Sequence, residues 1–129
     1  MTAEATLMNL THALLDSITA GDWTTYSKLC DPGLTCFEPE ANGHLVEGMP
    51  FHQFYFDLGA SRGPKNITLA APQVRIMGDA ALVTYTRLIQ QLDGNGQPVT
   101  LAYNETRIWH NQNGEWKHVH FHRSSPSGD

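Results

Sequence analysis

The feature that most constrains the fold is a change of pattern at Lys65, after which the chain reads as a series of long extended segments. Short glycine-bearing turns, which begin at Gly78, Asp93 and Gln112, separate these segments, and such turns join antiparallel neighbours. The segments are "KNITLAAPQVRIM", "DAALVTYTRLIQQLD", "TLAYNETRIWHNQ" and "EWKHVHFHR". Because helical patterns fill the chain before them, the order predicts an α+β fold whose sheet contains an antiparallel meander.

The first 30 residues have a helical pattern. Aliphatic side chains recur at helical spacing up to the break at "AGD": Leu7, Leu10, Leu14, Leu15 and Ile18. Asp22 is expected to cap a short second helix, "WTTYSKLC". A short strand, "LTCFEP", then a loop or hairpin, "EANGHLVEG", and a third helix, "MPFHQFYFDLG", complete this half of the chain.

Length and composition exclude several classes of protein. With 129 residues, 40% hydrophobic and 16% charged, the chain is expected to form one domain over 1–124 with a disordered tail at 125–129. No apolar run reaches the roughly 18 residues of a membrane-spanning helix, and the N-terminus does not read as a signal peptide, so a cytoplasmic protein is expected. The net charge of −5 argues against a nucleic-acid partner. Cys30 and Cys36 lack the spacing of a redox or zinc pair and are expected to be reduced.

Arginines alternate with apolar residues along three successive predicted strands. Counting by twos gives three groups that each share a face: Val83, Tyr85, Arg87 and Ile89; Tyr103, Glu105, Arg107 and Trp109; Val119, Phe121 and Arg123. Glu105 can neutralise only one guanidinium group, so the surplus positive charge suggests a cavity that accepts an anion such as a carboxylate. The alternative is that the arginines lie on the surface or pair with Asp and Glu elsewhere. A β-bulge would shift the phase of any of these counts.

The last segment carries His118, His120 and His122 at every second position. If the strand is unbroken, all three imidazoles lie on the face opposite Arg123. A row with this spacing extends over about 13 Å and cannot converge on one metal ion. The pattern therefore favours an outer face or a subunit contact, and no metal site is expected there.

Three stretches of the sequence are long enough to identify a protein family. They are residues 20–56, "AGDWTTYSKLCDPGLTCFEPEANGHLVEGMPFHQFYF", then "YTRLIQQLDGNGQP" and "NETRIWHNQNGEWKHVHFHRS". They resemble the association, or hub, domain of calcium/calmodulin-dependent protein kinase II. The resemblance implies the cone-shaped fold of ketosteroid isomerases and nuclear transport factors, in which a helix lies in a strongly curved antiparallel sheet. It implies self-association as a dimer or ring, and it allows assembly with a separate kinase chain. Because the sequence starts at the first hub helix, no kinase activity is expected.

In that family, one histidine and three arginines line a pocket that binds small carboxylates of the hydroxybutyrate type. The matching residues are His52 in "PFHQFYF", Arg87 in "YTRL", Arg107 in "NETRIW" and Arg123 in "HFHRS". The three arginines are those that counting by twos had identified. The sequence departs from the family at Gln53, in the hairpin at 110–115 and in the loop "DLGASRGPKN", which makes ligand gating and ring contacts the least transferable properties.

An enzymatic alternative uses the same pocket. Many cone folds of this kind are isomerases or dehydratases that combine a carboxylate with an oxyanion donor, and Glu105 and Tyr85 have that chemistry. Against this, Arg107 on the same strand face would lower the pKa of Glu105 and bind it. The favoured hypothesis is a self-associating module without a cofactor, whose anion-binding pocket comprises His52, Tyr85, Arg87, Glu105, Arg107 and Arg123.

Overall fold

The computed structural model describes residues 1–60 and 63–126. The helices in this part of the chain are α1 (Ala3–Ala20), α2 (Trp23–Leu29) and α3 (Pro50–Asp57), with a 3-10 turn at Pro39–Ala41. The strands are β1 (Cys30–Phe37), β2 (Val46–Glu47), β3 (Asn66–Met77), β4 (Ala80–Leu92), β5 (Pro98–Gln112) and β6 (Glu115–Ser124). The predicted α+β class and the order of elements are confirmed.

Gly21 and Asp22 fix the boundary between α1 and α2. Gly21 ends α1 in the left-handed conformation with φ 69°, and a Cβ atom there would lie only 3.0 Å from the backbone nitrogen of Ala60. Asp22 caps α2 as predicted, because its carboxylate accepts hydrogen bonds from the N–H and the hydroxyl of Thr25. The turn therefore needs a glycine both for its backbone conformation and for the close approach of the chain just after α3.

The strands form one sheet in the order β2-β1-β6-β5-β4-β3. The last four strands make the predicted antiparallel meander, which places Glu105 opposite both Tyr85 and Arg123. The short strand β2 pairs antiparallel with β1, so the segment after β1 is a hairpin rather than a loop. β1 runs parallel to β6, which makes the sheet mixed rather than wholly antiparallel.

The core lies between the inner face of the sheet and the helices. Leu7, Leu14, Tyr26, Val83 and Trp109 meet there and are at most 2% exposed. Residues of β4 alternate between buried and partly exposed as counting by twos predicts, with Arg87 on the buried side. Two charged positions on the neighbouring strand, Glu105 and Arg107, are buried as well. The sheet therefore carries charged side chains into the interior, next to the apolar core.

The prediction that three histidines share the outer face is wrong for His118. A bulge between β5 and β6 shifts the register, so that His120 pairs with Ile108 but His118 pairs with Trp109. His118 consequently points inward and is fully buried, while Val119 is the extra residue. His120 and His122 stay on the outer side, where His120 bonds to the Thr35 hydroxyl at 2.7 Å.

No helix among residues 1–60 and 63–126 has the length and apolar character needed to cross a membrane. The cytoplasmic location stays a prediction. Residues 127–129 of the predicted disordered tail and residues 61–62 of the loop "DLGASRGPKN" lie outside the described residues.

Candidate binding cavity

A cavity of about 200 Å³ lies between the inner face of the sheet and α3. The residues that line it are Ile18, Tyr26, Glu38, Glu40, His52, Tyr55, Phe56, Arg87, Arg107, Phe121 and Arg123. The structure thus brings together the predicted histidine and all three predicted arginines. Tyr85 and Glu105 do not line this cavity, but Tyr85 contacts Arg107, and Glu105 contacts both Arg87 and Arg107.

Glu105 is the centre of a buried group that we call the deep ion cluster (Tyr85, Arg87, Glu105 and Arg107). Glu105 Oε1 accepts hydrogen bonds from the Tyr85 hydroxyl at 2.6 Å and from Arg107 Nη2 at 3.0 Å. The Tyr85 oxygen in turn accepts a hydrogen bond from Arg107 Nε at 2.7 Å. Glu105 Oε2 lies 2.9 Å from Arg87 Nε. One carboxylate therefore contacts two buried guanidinium groups.

The environment of Glu105 favours its ionised form. Burial alone would raise the pKa of Glu105, but the charges of Arg107 and Arg87 outweigh it and hold the pKa below its usual range. Burial raises the pKa of Tyr85 to about 12, so its hydroxyl stays protonated and donates. A carboxylate that is ionised and bound by cations on both oxygens is a poor general base. This arrangement argues against the enzymatic alternative.

Arg87 is held less completely than Arg107. Its N–H at Nε is not directed at the nearby Glu105 oxygen, and neither atom has a hydrogen bond within the part of the chain that the structure describes. Arg107 instead has directed bonds to Glu105 and Tyr85, and its guanidinium lies 4.7 Å from the centre of the Phe121 ring. Since Arg87 lines the cavity, it has capacity for a further acceptor.

His118, whose position the sequence did not predict, extends the deep ion cluster away from the cavity. Arg107 Nη1 lies 3.3 Å from His118 Nε2, and a guanidinium can only donate, so Nε2 is the acceptor. The ring proton is therefore on Nδ1, which lies 3.6 Å from the Cys30 sulfur. Burial, reinforced by Arg107, lowers the pKa of His118 well below its usual value. The ring is neutral and forms part of the fold.

Arg123 and Glu40 form a second ionic contact, the rim ion pair. Arg123 Nη2 contacts both carboxylate oxygens of Glu40 and lies 3.7 Å from Glu38 Oε2. The side chain of Glu40 is 36% exposed, whereas that of Glu105 is fully buried. Glu40 pairs with Arg123, Glu105 pairs with Arg87 and Arg107, and Glu38 lies near Arg123, so the predicted surplus of positive charge is reduced among the described residues. The arginines do face one cavity, but acidic partners meet them there.

His52 brings an uncharged imidazole to the wall of the cavity. Burial, with a further contribution from Arg107, lowers the pKa of His52 to about 4. His52 Nε2 lies 3.7 Å from the sulfur of Cys36, and burial raises the pKa of that thiol to about 12. Burial and the neighbouring Glu40 raise the pKa of Glu38 to about 7. The side of the cavity next to α3 therefore differs in chemistry from the arginine side.

Sequence reasoning missed Glu38 and Glu40 as cavity residues, and Cys36 as the neighbour of His52. All three follow or end β1, in the stretch "CFEPE", and their partners are far away in the chain, since Arg123 is 83 positions from Glu40. The available signal was electrostatic. Three arginines on the inner face with one assigned carboxylate require further acidic partners, and "EPE" beside a strand end supplies two.

Comparisons with known proteins agree with the family resemblance that the sequence predicts. The family model described as the calcium/calmodulin dependent protein kinase II association domain matches residues 3–127. The type II kinase delta subunit of Oryctolagus cuniculus is 50% identical over 121 residues, which make up 92% of this chain but 23% of that protein. The kinase II association domain of C. elegans matches with a TM-score of 0.89 at 46% identity, over 95% of both chains.

The fold itself is shared more widely. A protein from Cytophaga hutchinsonii of the nuclear-transport-factor-2-like type matches with a TM-score of 0.79 at 18% identity, over 97% of this chain and 99% of that one. This likeness shows the fold alone, and it confirms the predicted nuclear-transport-factor-like architecture. Because the chain spans 23% of the kinase relative, the activity, substrates and partners of that whole kinase are not carried over to it.

Proposed function

Since this chain belongs to the calcium/calmodulin-dependent protein kinase II association domain family, we propose that it is a hub module that joins copies of itself into an oligomer. The observation that carries the proposal is a sheet face that the described helices leave uncovered. The core elements α1 and α2 pack on the inner face, where Leu14 and Tyr26 meet Val83. On the opposite face, Leu82, Leu88 and Ile108 are only partly buried within this single chain.

The outer face has the shape and chemistry for a second copy of the chain. A groove of about 400 Å³ crosses its middle and is lined mainly by small polar side chains, among them Thr84, Thr86, Asn104 and Thr106. Thr86 and Asn104 already bond to each other at 2.8 Å, which orders the groove. Partly exposed Leu82 and Ile108 flank its threonines along the strands. A pleated surface of threonine, leucine and isoleucine is suited to packing against a second sheet.

Native mass spectrometry of the intact chain tests the proposal. The wild type is expected to be a dimer or larger ring, and Thr106→Lys is expected to shift the population to smaller species because it places a charge at the centre of the groove. Leu45→Lys is the matched control, since Leu45 is 54% exposed in the hairpin connection away from the groove. A wild type that stays monomeric at micromolar concentration contradicts self-association. An oligomer that resists Thr106→Lys but dissociates on Leu45→Lys contradicts the choice of face.

We further propose that the cavity binds a small carboxylate at the arginine side. Two features support this: the incompletely bonded guanidinium of Arg87, and the rim ion pair, whose Glu40 carboxylate is accessible enough to exchange with a ligand carboxylate. His52 and Arg107 complete the lining on either side. A ligand carboxylate would take the place of Glu40 on Arg123 and reach toward Arg87.

Thermal unfolding with 4-hydroxybutyrate and with uncharged 1,4-butanediol separates carboxylate recognition from simple filling of the cavity. Only the acid is expected to raise the melting temperature, and Arg123→Gln is expected to abolish the effect. Arg75→Gln serves as the control, because Arg75 is an exposed arginine of β3 outside the cavity. Equal stabilisation of both arginine variants, or none of the wild type, would contradict the proposal.

A further inference from the structure

Three potential metal ligands converge at the wall of the cavity, where Glu38 and His52 line it and Cys36 lies next to His52. They are the Cys36 sulfur, a Glu38 carboxylate oxygen and a ring nitrogen of His52, and these atoms all lie within 4.8 Å of one another. Cys36 is 0% exposed, His52 is 5% exposed and the side chain of Glu38 is 8% exposed. No other group of three or more such ligands is found among residues 1–60 and 63–126.

The fold explains why these residues meet. Cys36 and Glu38 are two positions apart at the end of β1, so their side chains share a side there while Phe37 points the other way. The hairpin through β2 then returns the chain so that the first turn of α3 places His52 against Cys36. Strand and helix supply Cys36 and His52, and Glu38 directly follows the strand; such elements position side chains more rigidly than loops do.

The distances suit a tetrahedral ion. With Zn–S of about 2.3 Å and Zn–N of about 2.0 Å, a tetrahedral angle separates the sulfur from the nitrogen by about 3.5 Å. The observed distance from Cys36 Sγ to His52 Nε2 is 3.7 Å. The third donor needs to move inward by less than about 1.5 Å, because tetrahedral oxygen and nitrogen ligands are about 3.3 Å apart.

Among the three proposed ligands, Glu38 is the one with the weakest interactions within the protein. Its nearly buried carboxylate makes no hydrogen bond to any described residue, and its ion pair to Arg123 is long at 3.7 Å. Arg123 has its closer partner in Glu40. A buried carboxylate that is this weakly held costs free energy unless a cation compensates it. Turning Glu38 toward Cys36 and His52 would leave the rim ion pair intact.

We propose that Cys36, Glu38 and His52 bind a zinc ion, with a fourth position that faces the cavity. The combination of one thiolate, one imidazole and one carboxylate matches zinc and excludes magnesium and calcium, which take oxygen ligands. The thiol releases its proton to solvent on binding, and thiolate and carboxylate together neutralise the two charges of the ion. Arg123 keeps Glu40, and Arg87 and Arg107 keep Glu105. The inference does not depend on self-association or on carboxylate binding.

Cobalt(II) titration of the purified, chelator-treated full chain tests this directly, because cobalt reports both coordination geometry and thiolate ligation. The expected result is a one-to-one complex with visible bands of tetrahedral intensity and a near-ultraviolet thiolate-to-cobalt band, both bleached by one equivalent of zinc. Cys36→Ser is expected to remove the near-ultraviolet band. Glu38→Gln, which keeps the size of the side chain, is expected to weaken zinc at least tenfold in competition with a chromophoric chelator.

The chain contains its own control in Cys30. This buried thiol also lies beside a histidine, with 3.6 Å between its sulfur and His118 Nδ1. However, His118 Nε2 is occupied by Arg107, and no third ligand from the described part of the chain joins them. Cys30→Ser should leave the cobalt spectrum unchanged. A wild type without a thiolate band at millimolar cobalt overturns the proposal, and this needs no variant to fold. A band that survives Cys36→Ser, or that disappears only with Cys30→Ser, overturns it equally.

Discussion

The deep ion cluster and the rim ion pair use the same kinds of side chain but are held in different ways. In the cluster, Glu105 is fully enclosed, and Arg107 and Tyr85 bind it through directed hydrogen bonds. At the rim, Arg123 and Glu40 are partly exposed and can exchange partners with water. Burial makes every partner in the first group indispensable, whereas solvent lowers the cost of losing a partner in the second. The comparison separates charges that support the fold from charges that are available for a ligand.

The largest expected effect is that of Glu105→Gln. The variant leaves Arg87 and Arg107 buried without a counter-charge, and breaking a buried ion pair typically costs about 3–5 kcal/mol. Urea unfolding should show a loss of this size in the free energy of unfolding. Exposed Glu47 of β2 provides the control, and Glu47→Gln should lie within about 0.5 kcal/mol of the wild type. A loss below about 1 kcal/mol for Glu105→Gln would show that the arginines are solvated and would remove the contrast with the rim.

Tyr85→Phe should have the next largest effect. It removes the hydroxyl that donates to Glu105 and accepts from Arg107, and hydrogen bonds to charged groups are each worth about 1.5–3 kcal/mol. The same urea measurement should show a loss of about 2 kcal/mol, less than the sum of the two bonds because Arg107 and Glu105 remain bonded to each other. Tyr55→Phe removes a hydroxyl from a tyrosine that is 41% exposed and should be nearly neutral. Similar losses in the two variants would mean that the deep hydroxyl has no special role.

His118 gives the deep ion cluster a dependence on pH. Burial lowers the pKa of His118 in the folded state. As the pH falls below about 6.5, His118 therefore becomes protonated in the unfolded chain while it stays neutral in the folded chain. Stability from this group is present above about pH 6.5 and is lost as the pH falls, by up to about 1.4 kcal/mol per pH unit. His118→Gln, which can still accept from Arg107, should lower the slope of unfolding free energy against pH between about pH 6.5 and 5. An unchanged slope would place the protonation of His118 outside this range.

The smallest effect on stability should come from Glu40→Gln. A partly exposed ion pair is worth about 0–1 kcal/mol, so urea unfolding should change little. The same variant removes the carboxylate that competes for Arg123 and should therefore tighten binding of 4-hydroxybutyrate in calorimetry. A large loss of stability would mean that the rim is as structural as the cluster. Weaker binding would mean that Glu40 helps to hold the ligand instead of competing with it.

The sequence predicted the deep ion cluster better than the rim for a physical reason. Alternation along an unbroken strand places Tyr85, Arg87, Glu105 and Arg107 on one face, and β4 and β5 pair continuously through these residues. The same reasoning failed one strand later, because the bulge opposite Trp109 reverses the direction of His118. Nothing in the local pattern of β6 identifies Val119 as the extra residue.

The rim ion pair and the proposed zinc site depend on long-range contacts that sequence periodicity cannot predict. Glu40 meets Arg123, and Cys36 meets His52, only after β1 and α3 have been placed on the sheet. The resemblance to a known family supplied His52 as a cavity residue. It did not supply the acidic partners, and the balance of charge in the cavity became evident only from the positions of Glu38 and Glu40.

The parallel pairing of β1 with β6 determines when the cavity can form. Thr35 and His120 are neighbours in the sheet although 85 positions separate them in the chain. Contacts between residues so distant in sequence form late and slow folding, because a long loop must close before they add stability. During synthesis, Cys36 and Glu38 therefore emerge long before the strand that fixes them in place. A chain that stops after β5 would lack both Arg123 and the β6 neighbour of β1, and it would leave one edge of β1 open where pairing with other chains can begin.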